Sequence, residues 1–237
     1  GGFRPAPPNS MTKVVLAVPT IKAPLPVTQD AIEASIALIK AAGWELGIVS
    51  EVGNPYISCA RSTMLRKAMD GKADVVVFID HDIEFRPDDL LKLIETEGDV
   101  VAGLYRFKKD DEEYMGAPLT DAAGNVQMVA DGTLRGHRAP AGFLKVTKEA
   151  VDRFMKAYPE LCYGPAYAPA VDLFNHGAHE GVWYGEDYAF CRRWIDCGGE
   201  LWIVPDLDLT HHGETQAYPG NYHDFLTRQP GGVNAPA

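Results

Sequence analysis

The chain has 237 residues, 46% of them hydrophobic, which is enough for one large domain or two small ones with a substantial core. Lys and Arg number 22 against 33 Asp and Glu, a formal charge of −11. That balance excludes a general nucleic-acid-binding surface, because binding to phosphate backbones is driven by basic side chains, but it leaves room for a nucleotide in a local site.

No apolar run approaches the ~18 residues of a transmembrane segment. Cys59, Cys162, Cys191 and Cys197 show neither CxxC nor zinc-like spacing. They read as free thiols in a reducing compartment, so a cytoplasmic location is expected. Gly1 to Ser10 precede Met11 and read as an appended leader outside the fold.

Lys13 to Val18 is a first buried strand, ending in Pro19-Thr20. Asp30 is expected to open a helix in which Ile32, Ile36 and Ile39 recur at helical spacing, with Gly43 at its stop. Trp44 to Val49 is a second strand. After the Gly53-Asn54-Pro55 turn, Ile57, Ala60, Met64, Leu65 and Ala68 mark one face of a second helix that closes near Gly71. Val75 to Ile79 is a β-branched, continuously apolar run, the pattern of a strand buried on both faces, and it ends abruptly in Asp80-His81-Asp82. Pro87, Asp88 and Asp89 begin a third helix, where proline fits the first turn and acids suit the positive end. Asp99 to Gly103 is a fourth strand. Such alternation predicts an α/β domain with a parallel sheet flanked by helices. Ligands gather at the carboxyl ends of strands in such sheets, and Thr20, Asp80, Asp82 and Tyr105-Arg106 all fall there.

The second half differs in character. Lys108 to Glu113 is a charged loop that reads as a solvated face. Asp121 to Met128, with Gly124-Asn125 at its centre, reads as a hairpin. Ala141 to Val146 is a further strand, and Thr147 caps a helix running to about Ala157. Leu161 to Val182 is rich in Tyr, Pro, Gly and His without periodicity, as functional loops often are. Gly185-Glu186-Asp187 opens a helix that ends at Gly198-Gly199. Leu201 to Val204 is a short strand, followed by Leu209-Thr210-His211-His212-Gly213. Residues 229–237 have the composition of a flexible tail.

Three clusters carry potential chemistry. Asp80 and Asp82 offer two hard oxygen donors where a buried strand emerges, which suits Mg²⁺ or Mn²⁺; the alternative is an acidic turn. Glu186 and Asp187 stand at a helix start, where acids also serve as caps and dipole partners. His211, beside His212 and Gly213, leaves a strand end and can offer a neutral imidazole to a metal.

The series Ala17-Val18-Pro19-Thr20, Ala60-Arg61-Ser62, Phe78-Ile79-Asp80-His81-Asp82, Gly185 to Arg193 and Leu209 to Gly213 resembles the GT-A-fold glycosyltransferases over roughly Lys13 to Asn221. The resemblance implies a Rossmann-like, mostly parallel sheet with a small antiparallel extension. It implies one catalytic domain over residues 11–228, with a nucleotide-binding half at 11–107 and an acceptor-binding half at 108–228. It further implies a UDP- or GDP-linked sugar donor, a glycan or other hydroxyl-bearing acceptor, and a divalent metal. Asp80, Asp82 and His211 would hold the metal, with Asp80 also reaching the ribose. Pro19, Thr20 and Arg61 would contact base, ribose or phosphate, with Gly213 beside them. Asp187 would deprotonate the acceptor, with Glu186 as the other candidate. Tyr105 and Arg106 either hold sugar or phosphate or anchor a loop. Gly142 either admits a sugar close to backbone or answers to tight packing. A nucleotidyltransferase that makes sugar nucleotides expects a glycine-rich loop after the first strand, and Pro19 to Pro24 has no glycine. A haloacid-dehalogenase-type phosphatase expects its acids after the first strand, not the third. An inactive glycan- or nucleotide-binding module needs no base such as Asp187.

Overall fold

The computed structural model describes residues 12–230 and 233–234; residues 1–11, which include the leader at 1–10, and residues 231–232 and 235–237 of the tail lie outside them. The first half runs β1 (Lys13–Thr20), α1 (Pro26–Ala41), β2 (Glu45–Val52), α2 (Ile57–Asp70), β3 (Val75–Ile79), β4 (Ile83–Glu84), α3 (Pro87–Glu95) and β5 (Val100–Ala102). It continues through β6 (Ala117–Pro118), β7 (Val126–Gln127), β8 (Leu134–Arg138), β9 (Phe143–Thr147), α4 (Lys148–Ala157), β10 (Cys162–Tyr163) and β11 (Ala170–Val171). The last elements are β12 (Gly177–His179), β13 (Val182–Tyr184), α5 (Glu186–Asp196), β14 (Leu201–Ile203), β15 (Asp208–His212), β16 (Ala217–Asn221), α6 (Tyr222–Thr227) and β17 (Val233–Asn234).

One sheet of 8 strands, ordered β2-β1-β3-β9-β5-β14-β8-β6, forms the centre. β1 runs parallel to β2 and β3, and β14 parallel to β5. β9 lies antiparallel between β3 and β5, and β8 antiparallel between β14 and β6. The sheet is therefore mixed but mostly parallel. Alternation along each strand divides the core in two. Val15, Ala17, Val76 and Phe78 face α2, α4 and α5, through Met64, Phe154 and Trp194 among others. Val14, Leu16, Val75, Val77 and Ile79 face α1 and α3, through Ile32, Ile39, Leu90 and Leu93. Strands covered on both faces become continuous apolar runs, and each fully buried Val, Leu or Ile contributes about 1.5–3 kcal/mol.

Two sequence expectations are corrected. The first helix begins at Pro26 rather than Asp30, because proline sits in its first turn with φ already set and Leu25 before it is extended. The Leu25 N–H donates to the His81 carbonyl at 2.8 Å, which ties the helix entry to the acidic turn after β3. The first four long strands also do not form an uninterrupted parallel series, since β9 from the second half inserts between β3 and β5. Hydrophobic periodicity reports burial and says nothing of strand order.

Thr147 caps α4, its hydroxyl accepting from the Ala150 N–H at 3.2 Å. The turn at Gly124 forms with φ +84°, organised by the Asp121 carboxylate, which accepts from the N–H groups of Ala123 and Asn125. Val233–Asn234, in the tail, pairs in parallel with Val126–Gln127.

A second, antiparallel sheet, β16-β15-β4, stands beside the carboxyl end of β3. It pairs Thr210 with Glu84 and His211 with Ile83. This ribbon brings the end of the chain back to the acidic turn.

Lys145, on the inserted strand β9, is 5% exposed and donates to the carbonyls of Ile94 (2.9 Å) and Thr96 (2.5 Å) at the C-terminal end of α3. The ammonium thus caps helix carbonyls that would otherwise lack partners. Burial pulls its pKa down to about 8, against the upward pull of Asp99 and Glu97. The unfolded chain therefore binds this proton more tightly, and the fold gains stability as pH rises from about 8 towards the ordinary lysine value. Denaturant unfolding of wild type and Lys145→Met across pH 7.5–10.5 should show wild type gaining relative to the variant, by about 3 kcal/mol at most. A pH-independent difference would contradict this reading of Lys145.

Candidate active site

The site forms where β3 emerges, between the start of α5 and the β4–β15 ribbon. At its floor lies Arg61, 2% exposed, on the sheet-facing side of α2. Its guanidinium donates from Nη2 to Asp80 Oδ1 and from Nη1 to Glu186 Oε1, both at 2.7 Å. The Phe174 ring lies 5.4 Å from its Cζ. Burial opposes the charge of Arg61, but Asp80 and Glu186 outweigh that and hold its pKa above the usual value. Two carboxylates from distant parts of the chain are thus clamped by one planar fork, a bridging that arginine provides and lysine does not.

Asp82 is 7% exposed. Its Oδ2 meets Lys108 Nζ at 2.5 Å and faces His211 Nε2 at 3.6 Å. Burial would raise the Asp82 pKa, but the neighbouring His211 and Lys108 bring it well below the usual carboxylate range. The other nitrogen of His211, Nδ1, lies 2.7 Å from the Arg106 carbonyl oxygen. A carbonyl only accepts, so Nδ1 carries a proton, and the ring is held with Nε2 towards Asp82. Such a backbone-oriented imidazole is the usual arrangement of a metal-binding histidine.

Strand alternation also separates the two adjacent histidines. His212 Nε2 is 2.7 Å from Glu84 Oε2, away from Asp82. The 3.6 Å gap between Asp82 Oδ2 and His211 Nε2 is longer than a hydrogen bond and short enough for two ligands of one ion. Asp82 and His211 therefore fit a hard divalent cation, whereas Asp80 is turned to Arg61. Among the described residues no three His, Cys, Asp or Glu side chains converge as a ready-made cage.

Asp187 occupies the first turn of α5, its Oδ1 accepting from the Tyr188 N–H at 2.8 Å. Burial and then the neighbouring Glu186 raise its pKa to about 6, only partly offset by the Tyr188 N–H and Arg61. Glu186, held by Arg61, is the more compensated of the two acids.

Tyr105 is buried, and its hydroxyl oxygen accepts from the Gly142 N–H at 3.1 Å. Burial, with Asp80 the next contributor, pushes its pKa well above the usual phenol value, so it stays neutral. A Cβ at Gly142 would stand 2.3 Å from the Tyr105 hydroxyl and 2.5 Å from Asp80 Oδ2. Gly142 is thus required by the packing of Tyr105 and Asp80, one of the two readings its sequence context allowed.

Arg106 is a loop anchor. Its guanidinium donates to the carbonyls of Lys109 (3.2 Å) and Asp110 (2.9 Å) and stacks over Tyr218. Gly213 makes the turn between β15 and β16, its N–H donating to the Gln216 carbonyl. Pro19 and Thr20 end β1 beside the acidic turn. Thr20 is 6% exposed, and its buried Oγ1 has no hydrogen-bond partner among the described residues.

Lys108 and Phe174 were not singled out from the sequence. Lys108 sat in a charged stretch that reads as solvated, and its one signal was a cation just past a strand end that faces two acids. Phe174 lies in the aperiodic segment, where no pattern marks it.

No family model and no curated protein match the sequence. Among solved structures, the chain is similar to GalNAc-T7 crystallised with UDP, GalNAc and Mn²⁺, at 13% identity and a TM-score of 0.48. That likeness covers 86% of this chain but 44% of the other, so the chain spans less than half the length of that protein. It is similar to a Drosophila β1,4-galactosyltransferase 7 in complex with manganese, UDP-Gal and xylobiose, at 14% identity and a TM-score of 0.47, covering 92% of this chain and 80% of that one. It is also similar to the inositol-1-phosphate CTP transferase from T. maritima, at 11% identity and a TM-score of 0.44, covering 85% and 89%. At these values the likeness concerns at most the path of the chain, and what the site can do rests on its own geometry.

Proposed function

We propose that the chain is a metal-dependent glycosyltransferase that moves a sugar from a UDP- or GDP-sugar to a hydroxyl acceptor. The observation that carries this reading is the Arg61 fork. It joins the acidic end of β3 to the start of α5, so that a metal-binding carboxylate and a proton-accepting carboxylate share one site.

Asp82 and His211 would hold Mg²⁺ or Mn²⁺, with phosphate oxygens of the donor and water completing the shell, as hard cations favour. Such an ion offsets the negative charge that develops on a leaving nucleoside diphosphate. Thr20, at the end of β1, carries a buried hydroxyl without a partner among the described residues, which a rotation of its side chain would bring to the nucleotide. Asp80, clamped by Arg61 and backed by Gly142 and Tyr105, is fixed in position beside the donor. Among the described residues Asp187 Oδ2 has no hydrogen-bond partner, which leaves it available to the acceptor. As the acceptor oxygen bonds to the anomeric carbon and the carbon–diphosphate bond breaks, the hydroxyl proton passes to Asp187. A carboxyl group with a pKa about 6 suits this task better than an ordinary aspartate, because its basicity lies nearer to neutral pH.

A thermal-shift screen of UDP-, GDP- and other nucleotide sugars with Mn²⁺ or Mg²⁺, followed by turnover assays, tests the reading. The absence of both binding and hydrolysis across such a panel would sink it. For an active donor and acceptor pair, kcat/KM should rise with pH through about 6 and level off above 7, since the base acts deprotonated. Asp187→Asn should lower turnover by about 10²–10⁴-fold while leaving nucleotide affinity nearly unchanged. Full activity in that variant removes Asp187 from its role. Asp82→Ala should instead abolish the Mn²⁺-dependent part of nucleotide binding in calorimetry, and an unchanged Mn²⁺ dependence would rule Asp82 out as a ligand.

A further inference from the structure

The cation that Asp82 holds is Lys108 Nζ, at 2.5 Å, on the same Oδ2 that faces His211. This contact is organised by the surrounding backbone. The segment carrying Lys108 is closed by the Phe107 N–H on the Glu113 carbonyl and the Lys109 N–H on the Phe107 carbonyl, both at 2.9 Å. Arg106 holds the carbonyls of Lys109 and Asp110 from one side, and Gln216 Nε2 donates to Asp110 Oδ1 at 3.0 Å from the other. Lys109 pairs with Glu113 across the loop. The Lys108 stem runs past Gly213, where a Cβ would stand 3.9 Å from its Cδ. The backbone is pinned on several sides, while the ammonium stays on a flexible stem with a side chain 39% exposed.

Two cations, Arg61 and Lys108, stand among four carboxylates here: Asp80, Asp82, Glu186 and Asp187. Arg61 is buried and doubly bonded, so only Lys108 can leave without unmaking the floor of the site. An ammonium and a divalent ion cannot both sit on Asp82 Oδ2, because their like charges would stand within a few ångströms in a partly buried site. A freed ammonium beside a bound diphosphate has phosphate oxygens to move to, and lysine is a common point-charge partner of phosphate.

We propose that Lys108 is a displaceable counter-cation of Asp82. It holds the carboxylate in the free protein, competes with the divalent ion for Oδ2, and transfers to the donor's diphosphate when ion and nucleotide bind together. This rests on the glycosyltransferase reading of the same site. Its consequence is coupling: the protein takes up Mn²⁺ weakly alone and much more strongly with a nucleoside diphosphate, so the ion does not occupy the site before the donor arrives.

The test is calorimetry of the full chain, wild type, Lys108→Met, Lys108→Arg and Asp82→Asn, titrated with Mn²⁺ alone and with UDP or GDP in the presence of Mn²⁺. Thermal melts confirm that each variant is folded. Lys108→Met should bind Mn²⁺ alone about tenfold more tightly than wild type and the nucleotide with Mn²⁺ about tenfold more weakly, while Lys108→Arg stays close to wild type on the first measure. Equal or weaker Mn²⁺ binding by Lys108→Met overturns the displaceable cation. If Mn²⁺-dependent nucleotide binding persists in wild type and is lost in Asp82→Asn, that failure leaves the glycosyltransferase reading standing. If no protein binds either nucleotide with or without Mn²⁺, both fall.

Discussion

The contact on which the rest of the site depends is the buried guanidinium of Arg61 between Asp80 and Glu186. Asp80 ends the third strand and Glu186 starts the last long helix, 106 residues later. Without a shared partner their like charges would push these elements apart. One planar group meeting both at 2.7 Å turns the repulsion into a bridge. A buried ion pair is not in itself a large source of stability, because desolvation offsets much of the Coulomb gain. The carboxylates reduce that cost by remaining about a quarter exposed, at 23% and 24% for their side chains, while the guanidinium is enclosed and lies against Phe174. The fork therefore specifies geometry more than it adds stability, and the geometry it specifies is the distance between the two halves of the chemistry.

That choice of partners also divides the acids by role. Arg61 takes Asp80 and Glu186, and Lys108 with His211 takes Asp82. Asp187 is left with a backbone N–H and the repulsion of Glu186. Neighbouring carboxylates whose surroundings push their proton affinities apart are a sign of divided acid–base duties. Asp82 is held well below the ordinary range and Asp187 is raised to about 6. The first is suited to stay ionised against a cation, the second to take up and release a proton near neutral pH. Both follow from the surroundings, His211 and Lys108 beside Asp82 and burial with Glu186 around Asp187, not from any difference between the side chains.

The parallel β/α series was legible because strands covered on both faces must be apolar throughout, as Val75 to Ile79 is. The start of the first helix was missed because its signal is a single proline, Pro26, rather than a side-chain cap. The insertion of β9 was not legible, since Phe143, Leu144 and Val146 announce burial without naming neighbours. Asp80, Asp82, Glu186 and Asp187 stood out as acids at element ends, and the structure brings all of them together. The choice between His211 and His212 needed the strand's register, which turns one towards Asp82 and the other towards Glu84. Arg61 carried a quiet signal of its own, a charged residue next to Ala60 on the apolar face of an amphipathic helix. Lys108 carried almost none, because a cation in a charged loop has the same appearance whether it meets water or a buried acid.

The two cations differ in a way that bears on function. Arg61 is enclosed and makes two short charged bonds, so it belongs to the scaffold of the site. Lys108 approaches from a pinned loop but reaches Asp82 through a long, partly exposed stem. A scaffold cation and a removable one on neighbouring carboxylates give the site a stable shape and a variable charge. The free protein can then keep Asp82 compensated without closing the position proposed for a metal and a diphosphate. A second arginine fixed to Asp82 would leave no place for the ion proposed there. On the proposed reading, lysine at 108 and arginine at 61 suit a site in which Asp82 is uncovered and Asp80 is not.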